Sequence, residues 1–116
     1  MNIDEIYKEI SLSMLDNVVC SKWKRAFLDI EYYGSDALEL GGGYDSPEGL
    51  FTSFKFRNFS RKIVQNFHDL HQITTENPKN NWNRAKFTLF PDGEFTIDFK
   101  WDQELADEIE RLANED

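Results

Sequence analysis

Two six-residue runs, Arg84-Ala85-Lys86-Phe87-Thr88-Leu89 and Phe95-Thr96-Ile97-Asp98-Phe99-Lys100, alternate apolar and polar side chains on either side of Pro91-Asp92-Gly93. A period of two is the signature of a strand with one face on a core. Proline presets the first turn position and glycine accepts a left-handed conformation, so Phe90 to Glu94 predicts a hairpin with a three-residue loop. With Phe90 opposite Glu94, Leu89 pairs with Phe95, Phe87 with Ile97 and Ala85 with Phe99. All six apolar side chains then share one face. A slip of one residue would turn half of them to water, so the register is strongly specified.

The remaining elements arrange themselves around that hairpin. Ile3, Ile6, Tyr7, Ile10, Met14 and Val18 recur at helical spacing and predict an amphipathic N-terminal helix. From Trp23 the period changes. Ala26, Leu28, Ile30 and Tyr32 share one side of a strand, Gly34-Ser35-Asp36 turns the chain, and Ala37 to Leu40 returns it. Gly41-Gly42-Gly43 and Asp45 to Gly49 read as a loop; the triplet lacks the Lys-Ser/Thr of a phosphate loop. Phe56, Phe59, Ile63, Phe67 and Leu70 predict a second helix, capped by Thr52 or Ser53 and ending near Thr74 or Thr75, before Asn77-Pro78. Asp102 caps a last helix with the stripe Leu105, Ala106, Ile109, Leu112 and Ala113. The expectation is an α+β fold of order α-β-β-α-β-β-α: an antiparallel sheet of about four strands from two hairpins, with helices packed on it. Residues 1–116 form a single domain, long enough to bury one core.

Charge narrows the function. The chain carries 22 acidic and 13 basic residues, a formal net charge of −9. Nucleic acids and anionic membranes require a basic footprint, so direct binding to either is disfavoured, and a basic protein or cationic ligand is favoured. Cys20 is the only cysteine, which excludes an intrachain disulfide and a cysteine-based zinc site and fits a reducing cytoplasm. The acidic start, Met1-Asn2-Ile3-Asp4-Glu5, lacks the basic-then-apolar order of a signal peptide. No run approaches the roughly 18 apolar residues of a membrane span.

Three sets of residues invite a catalytic reading. Pro91-Asp92 with Asp98-Phe99-Lys100 matches, as letters, the metal-binding hairpin of some nucleases. In the hairpin, however, Asp92 lies in the turn and Asp98 six residues on. At about 3.3 Å per residue they sit roughly 15–20 Å apart, too far to share one ion. His68 and His71 are a lone pair three apart with no third ligand nearby, and Cys20 reads as an inert thiol. Neither catalysis nor a metal site is the favoured reading of these sets; a small metal-dependent enzyme using Asp92, Asp98, Lys100 or the two histidines is the rival, and a binding module for another basic protein is a third alternative.

Trp82-Asn83-Arg84-Ala85-Lys86-Phe87-Thr88-Leu89, Pro91-Asp92-Gly93-Glu94-Phe95, Asp98-Phe99 and Trp101-Asp102 together resemble the C-terminal signature of the YezG-like immunity proteins. These are small antitoxins of Gram-positive bacteria that accompany secreted polymorphic toxins. The likeness is specific over residues 82–102 and extends to chain length and element order, but not to Gly41–Phe54. It implies a cytoplasmic antitoxin that binds a toxin's nuclease domain, with no enzymatic activity and no cofactor. Such a domain must attract polyphosphate and is therefore basic, so an acidic inhibitor suits it. The residues expected to meet it are the acids Glu94, Asp98, Asp102, Asp107 and Glu108, with Trp101 and the pair Tyr32 and Tyr33 as anchors. Glu31, Asp36 and Glu39 are second choices. The sequence does not set the oligomeric state, and a monomer is favoured.

Overall fold

The computed structural model describes residues 2–34 and 37–114. Helix α1 spans Ile3–Asn17, strand β1 Arg25–Gly34, β2 Ala37–Asp45, β3 Phe51–Ser53, helix α2 Lys62–Thr74, β4 Arg84–Leu89, β5 Phe95–Lys100 and helix α3 Gln103–Ala113. The five strands form one antiparallel sheet in the order β3-β2-β1-β4-β5. The fold is α+β, with one strand more than the four expected. No described helix is long and apolar enough to cross a membrane.

The β4–β5 register agrees with the sequence: Leu89 faces Phe95, Phe87 faces Ile97 and Ala85 faces Phe99. The Phe90 N–H donates to Glu94 O (2.8 Å), the Gly93 N–H donates to Phe90 O (2.9 Å), and Gly93 takes φ +91°. Ala26, Leu28 and Ile30 of β1 continue the same face and bury against Ile6, Ile10 and Met14 of α1 and Ile63, Phe67 and Leu70 of α2. Asn2 starts α1 by accepting the Glu5 N–H at 2.9 Å. The opposite face of the sheet is more open. There Phe27 stacks on Phe51 at 5.6 Å, and the Lys86 ammonium lies 4.8 Å from the Phe27 ring centre.

Two expectations between Gly41 and Ser60 are overturned. The glycine triplet is part of β2 rather than a loop. A Cβ on Gly43 would meet the Thr52 carbonyl oxygen at 2.1 Å and the Phe51 ring at 2.7 Å, and Gly42 holds φ +133°. The backbones approach so closely that only glycine fits, which is why a strand here carries no side-chain period. The second helix does not start at Thr52 or Ser53, which belong to β3; it begins at Lys62. Ser60 takes the capping role, its Oγ accepting the Lys62 N–H (3.2 Å) and its carbonyl the Ile63 N–H (3.1 Å). Phe56 lies in a single 3₁₀ turn, and Phe54 and Phe59 bury beside Tyr44.

Candidate protein-binding surface

Trp82-Asn83-Arg84 joins the sheet to α3. The Trp82 ring is buried, and its indole N–H donates to Thr74 Oγ1 at 2.8 Å. Asn83 is buried too, and its carboxamide holds the backbone of Asp102 from both sides. Nδ2 donates to Asp102 O (2.8 Å), and Oδ1 accepts the Asp102 N–H (2.7 Å). Arg84 Nε pairs with Asp102 Oδ2 at 2.8 Å and its Nη1 with Glu31 Oε1 at 2.7 Å. Both pairs are open to water and screened by it, so they orient more than they stabilise. The other Asp102 oxygen accepts the Leu105 N–H (3.2 Å) and caps α3. Arg84 first, and the Leu105 N–H second, hold the Asp102 carboxyl below its ordinary value.

Beyond this anchored first turn α3 is sparsely covered. Leu105 is its one buried residue among those described, while Leu112 is 53% exposed and Ala113 is exposed. The expected buried stripe is therefore corrected: it holds at Leu105 and opens toward the C-terminus. A cleft of about 460 Å³ lies between this helix and the sheet, lined by Glu31, Tyr33, Arg84, Leu105, Glu108, Ile109 and Leu112.

Tyr32 and Tyr33 point to opposite sides, as neighbours in a strand must. Tyr32 packs into the histidines of α2, stacked on His71 at 3.8 Å with its hydroxyl 3.1 Å from His68 Nδ1. His71 Nε2 lies 2.9 Å from Trp82 O. A carbonyl only accepts, so that nitrogen carries the proton. Tyr33 places its hydroxyl 2.6 Å from Glu31 Oε2 and 2.6 Å from Glu39 Oε2. One phenolic proton thus serves two carboxylates. The bond to Glu31 first, and that to Glu39 next, push the phenol well above its ordinary range, and the same Tyr33 bond, ahead of Arg84, pulls the Glu31 carboxyl down.

Burial lowers the His71 pKa from its ordinary 6.5, outweighing the hydrogen bond to Trp82. The unfolded chain therefore takes up the proton first. Stability is full above pH 6.5, declines as the pH falls below it, and levels off under the depressed folded value. Glu31 and Asp102 add a separate loss at lower pH, because their stabilisation is present above about pH 4 and disappears as the pH falls through their lowered values. Urea midpoints measured in pH steps should show both phases, and His71→Gln should remove only the upper one. An unchanged upper phase in that variant would refute the assignment.

The acids expected to meet a partner divide into two groups. Glu94, Asp98, Asp107 and Glu108 are exposed, and Trp101 is 45% exposed with its indole N–H on Gln103 Oε1 at 2.9 Å. Asp102 and Tyr32 are instead engaged inside the molecule. Asp92 accepts the Glu94 N–H in its own turn (2.9 Å), while Asp98 stands opposite Lys86 in mid-strand. Among the described residues, no group of three or more His, Cys, Asp and Glu side chains is placed to hold a metal ion. Cys20 is exposed. Asp36, and the turn through Ser35, lie outside the described residues.

The charge is lopsided along the chain. Residues 1–91 carry 12 acidic and 11 basic side chains, and residues 92–116 carry 10 and 2, so the last stretch holds −8 of the −9. The structure puts most of that stretch on β5, the border strand, and on α3. In comparisons with known proteins, no family model matches this chain and no curated protein matches it.

Proposed function

We propose that this chain is an immunity protein that binds a secreted toxin's basic nuclease domain in the producing cell's cytoplasm and neutralises it stoichiometrically. The observation that carries the reading is the segregation of charge: −8 on residues 92–116, with Glu94, Asp98, Asp107 and Glu108 exposed. The resemblance of Trp82–Asp102 to the immunity-protein signature supports it. Much of that signature builds the fold through Trp82, Asn83 and Asp102, which leaves the exposed acids and Trp101 to meet the partner. A field of one sign accelerates encounter with a basic surface by about 10–10³-fold at low salt, while affinity comes from a few desolvated anchors.

Two measurements test this. Coexpression with the nuclease domain encoded beside this chain should rescue cells that the nuclease alone kills. Changing Asp98, Asp107 and Glu108 together to Lys should slow association with that domain by about 10-fold or more at low salt and flatten its salt dependence. Rescue by the triple variant at wild-type strength, with an unchanged association rate, would reject the acidic surface.

A further inference from the structure

Strand β5 borders the sheet, and of the usual edge protections it carries charge alone, in Asp98 and Lys100. The other border strand, β3, has three residues; β5 has six, with no proline in it. Sheet edges of this kind invite pairing unless short, bulged or blocked. Hydrogen-bonded and open pairs alternate along an antiparallel ladder. Because Phe90 and Glu94 close the hairpin as a bonded pair, Thr96 and Asp98 spend their backbone groups on β4. Phe95, Ile97 and Phe99 therefore aim their N–H and C=O outward, where the sheet has no further strand among the described residues. Their side chains share one flank, and Phe95 and Phe99 remain 38% and 39% exposed. Phe95 packs on Tyr7 (5.2 Å) and Phe87 (5.0 Å), and Phe99 on Trp82 (5.0 Å).

The sequence of this edge is complementary to itself. Read antiparallel about Ile97, Phe95 meets Phe99, Thr96 meets Asp98, and Glu94 meets Lys100. Beyond the strand the same register sets Trp101 across from Gly93, an indole against a residue with no side chain. We propose that β5 pairs with β5 of a second copy of this chain about a two-fold axis at Ile97, joining two sheets into one of ten strands. The symmetry makes each contact occur twice, so the two Glu94–Lys100 pairs act together. Each facing pair among Phe95, Ile97 and Phe99 exchanges both backbone bonds, and the outer edges of four phenyl rings leave water. This departs from the monomer expected at the outset. It engages Glu94, Asp98 and Trp101 in the dimer, while Asp107 and Glu108 lie outside the paired segment.

Sedimentation equilibrium of the full chain, from about 1 µM to about 1 mM, the range of weak to moderate association, should show a species of twice 13.7 kDa. Lys100→Glu places Glu opposite Glu at both ends and should weaken the dimer by about 10-fold or more. Adding Glu94→Lys to it restores the opposite charges in reverse and should return most of the affinity. Amide exchange on the unaltered protein gives a second readout. The amides of Phe95, Ile97 and Phe99 should become slower to exchange as concentration rises, and those of Thr96 and Asp98 should hardly change. A monomer throughout that range overturns the proposal. So does a dimer that ignores Lys100→Glu and leaves the three outward amides unprotected, because its contact then lies elsewhere.

Discussion

Trp82→Ala is expected to cost about 3–5 kcal/mol of folding stability, as for other buried aromatic truncations. The ring is 1% exposed and packs between Phe99 (5.0 Å), His71 (4.7 Å) and Tyr32 (5.8 Å). Removing it opens a cavity where β4, β5 and α2 meet, and Thr74 Oγ1 loses the indole donor. Against a total of about 5–15 kcal/mol for a domain of this kind, that is a large share. Urea unfolding followed by far-ultraviolet circular dichroism would register it as a lower midpoint with a similar slope. A loss under about 1 kcal/mol would show that the site collapses around the deletion or that the ring is not packed as described. The contrast lies in Trp101, whose ring is 45% exposed and whose truncation should leave folding within about 0.5 kcal/mol.

Asn83→Ala should cost about 1–3 kcal/mol, without removing any appreciable apolar contact. It leaves the Asp102 N–H without its partner in a partly buried position, which costs about 1–3 kcal/mol, while the Asp102 carbonyl keeps the Ala106 N–H (3.1 Å). Asn83→Asp should be at least as damaging. It keeps the acceptor for the Asp102 N–H, yet turns the donor at Nδ2 into a second acceptor facing a carbonyl. Amide exchange would localise the damage: α3 and the end of β5 should open together, and α1 should keep its protection. Uniform loss of protection across the chain would mean that Asn83 stabilises the whole core rather than this junction.

Which parts of this structure could be read from sequence follows from what each segment spends its side chains on. The β4–β5 hairpin was legible to the residue because every second side chain is apolar and a Pro-Asp-Gly turn pins the register. The start of β1 was legible from the same alternation, and the stripe of α1 from apolar residues at helical spacing. Gly41–Gly43 hid a strand because residues without side chains have no period, and at Gly42 and Gly43 the reason for glycine is a neighbouring backbone. Phe56 and Phe59 kept helical spacing with Ile63 while serving a 3₁₀ turn and an aromatic cluster around Tyr44. Spacing records which residues can share a face and not the backbone that brings them there.

The candidate surface was legible in its charges and opaque in its geometry. That Glu94, Asp98, Asp107 and Glu108 are solvated follows from their chemistry. Nothing in the alternation of β5 shows that it is a border strand, and so the exposure of Phe95 and Phe99 came only with the sheet order. Likewise the apolar positions of α3 show an amphipathic helix but not that Leu112 lacks cover. Tyr32 and Asp102 suit a partner-binding role by residue type, one aromatic and one acidic. The structure has them occupied with His71 and Arg84, through contacts distant in sequence.

The carboxamide of Asn83 is, chemically, one peptide group carried on a single methylene. By bonding both the N–H and the C=O of Asp102, it adds a rung to the ladder just where β5 has ended. Glutamine, one methylene longer, would overshoot that rung. The outcome is a mechanical coupling: α3 is hydrogen-bonded into the sheet rather than only laid against it. A force on the helix is therefore carried into β5, and the helix cannot leave without fraying the strand beside it.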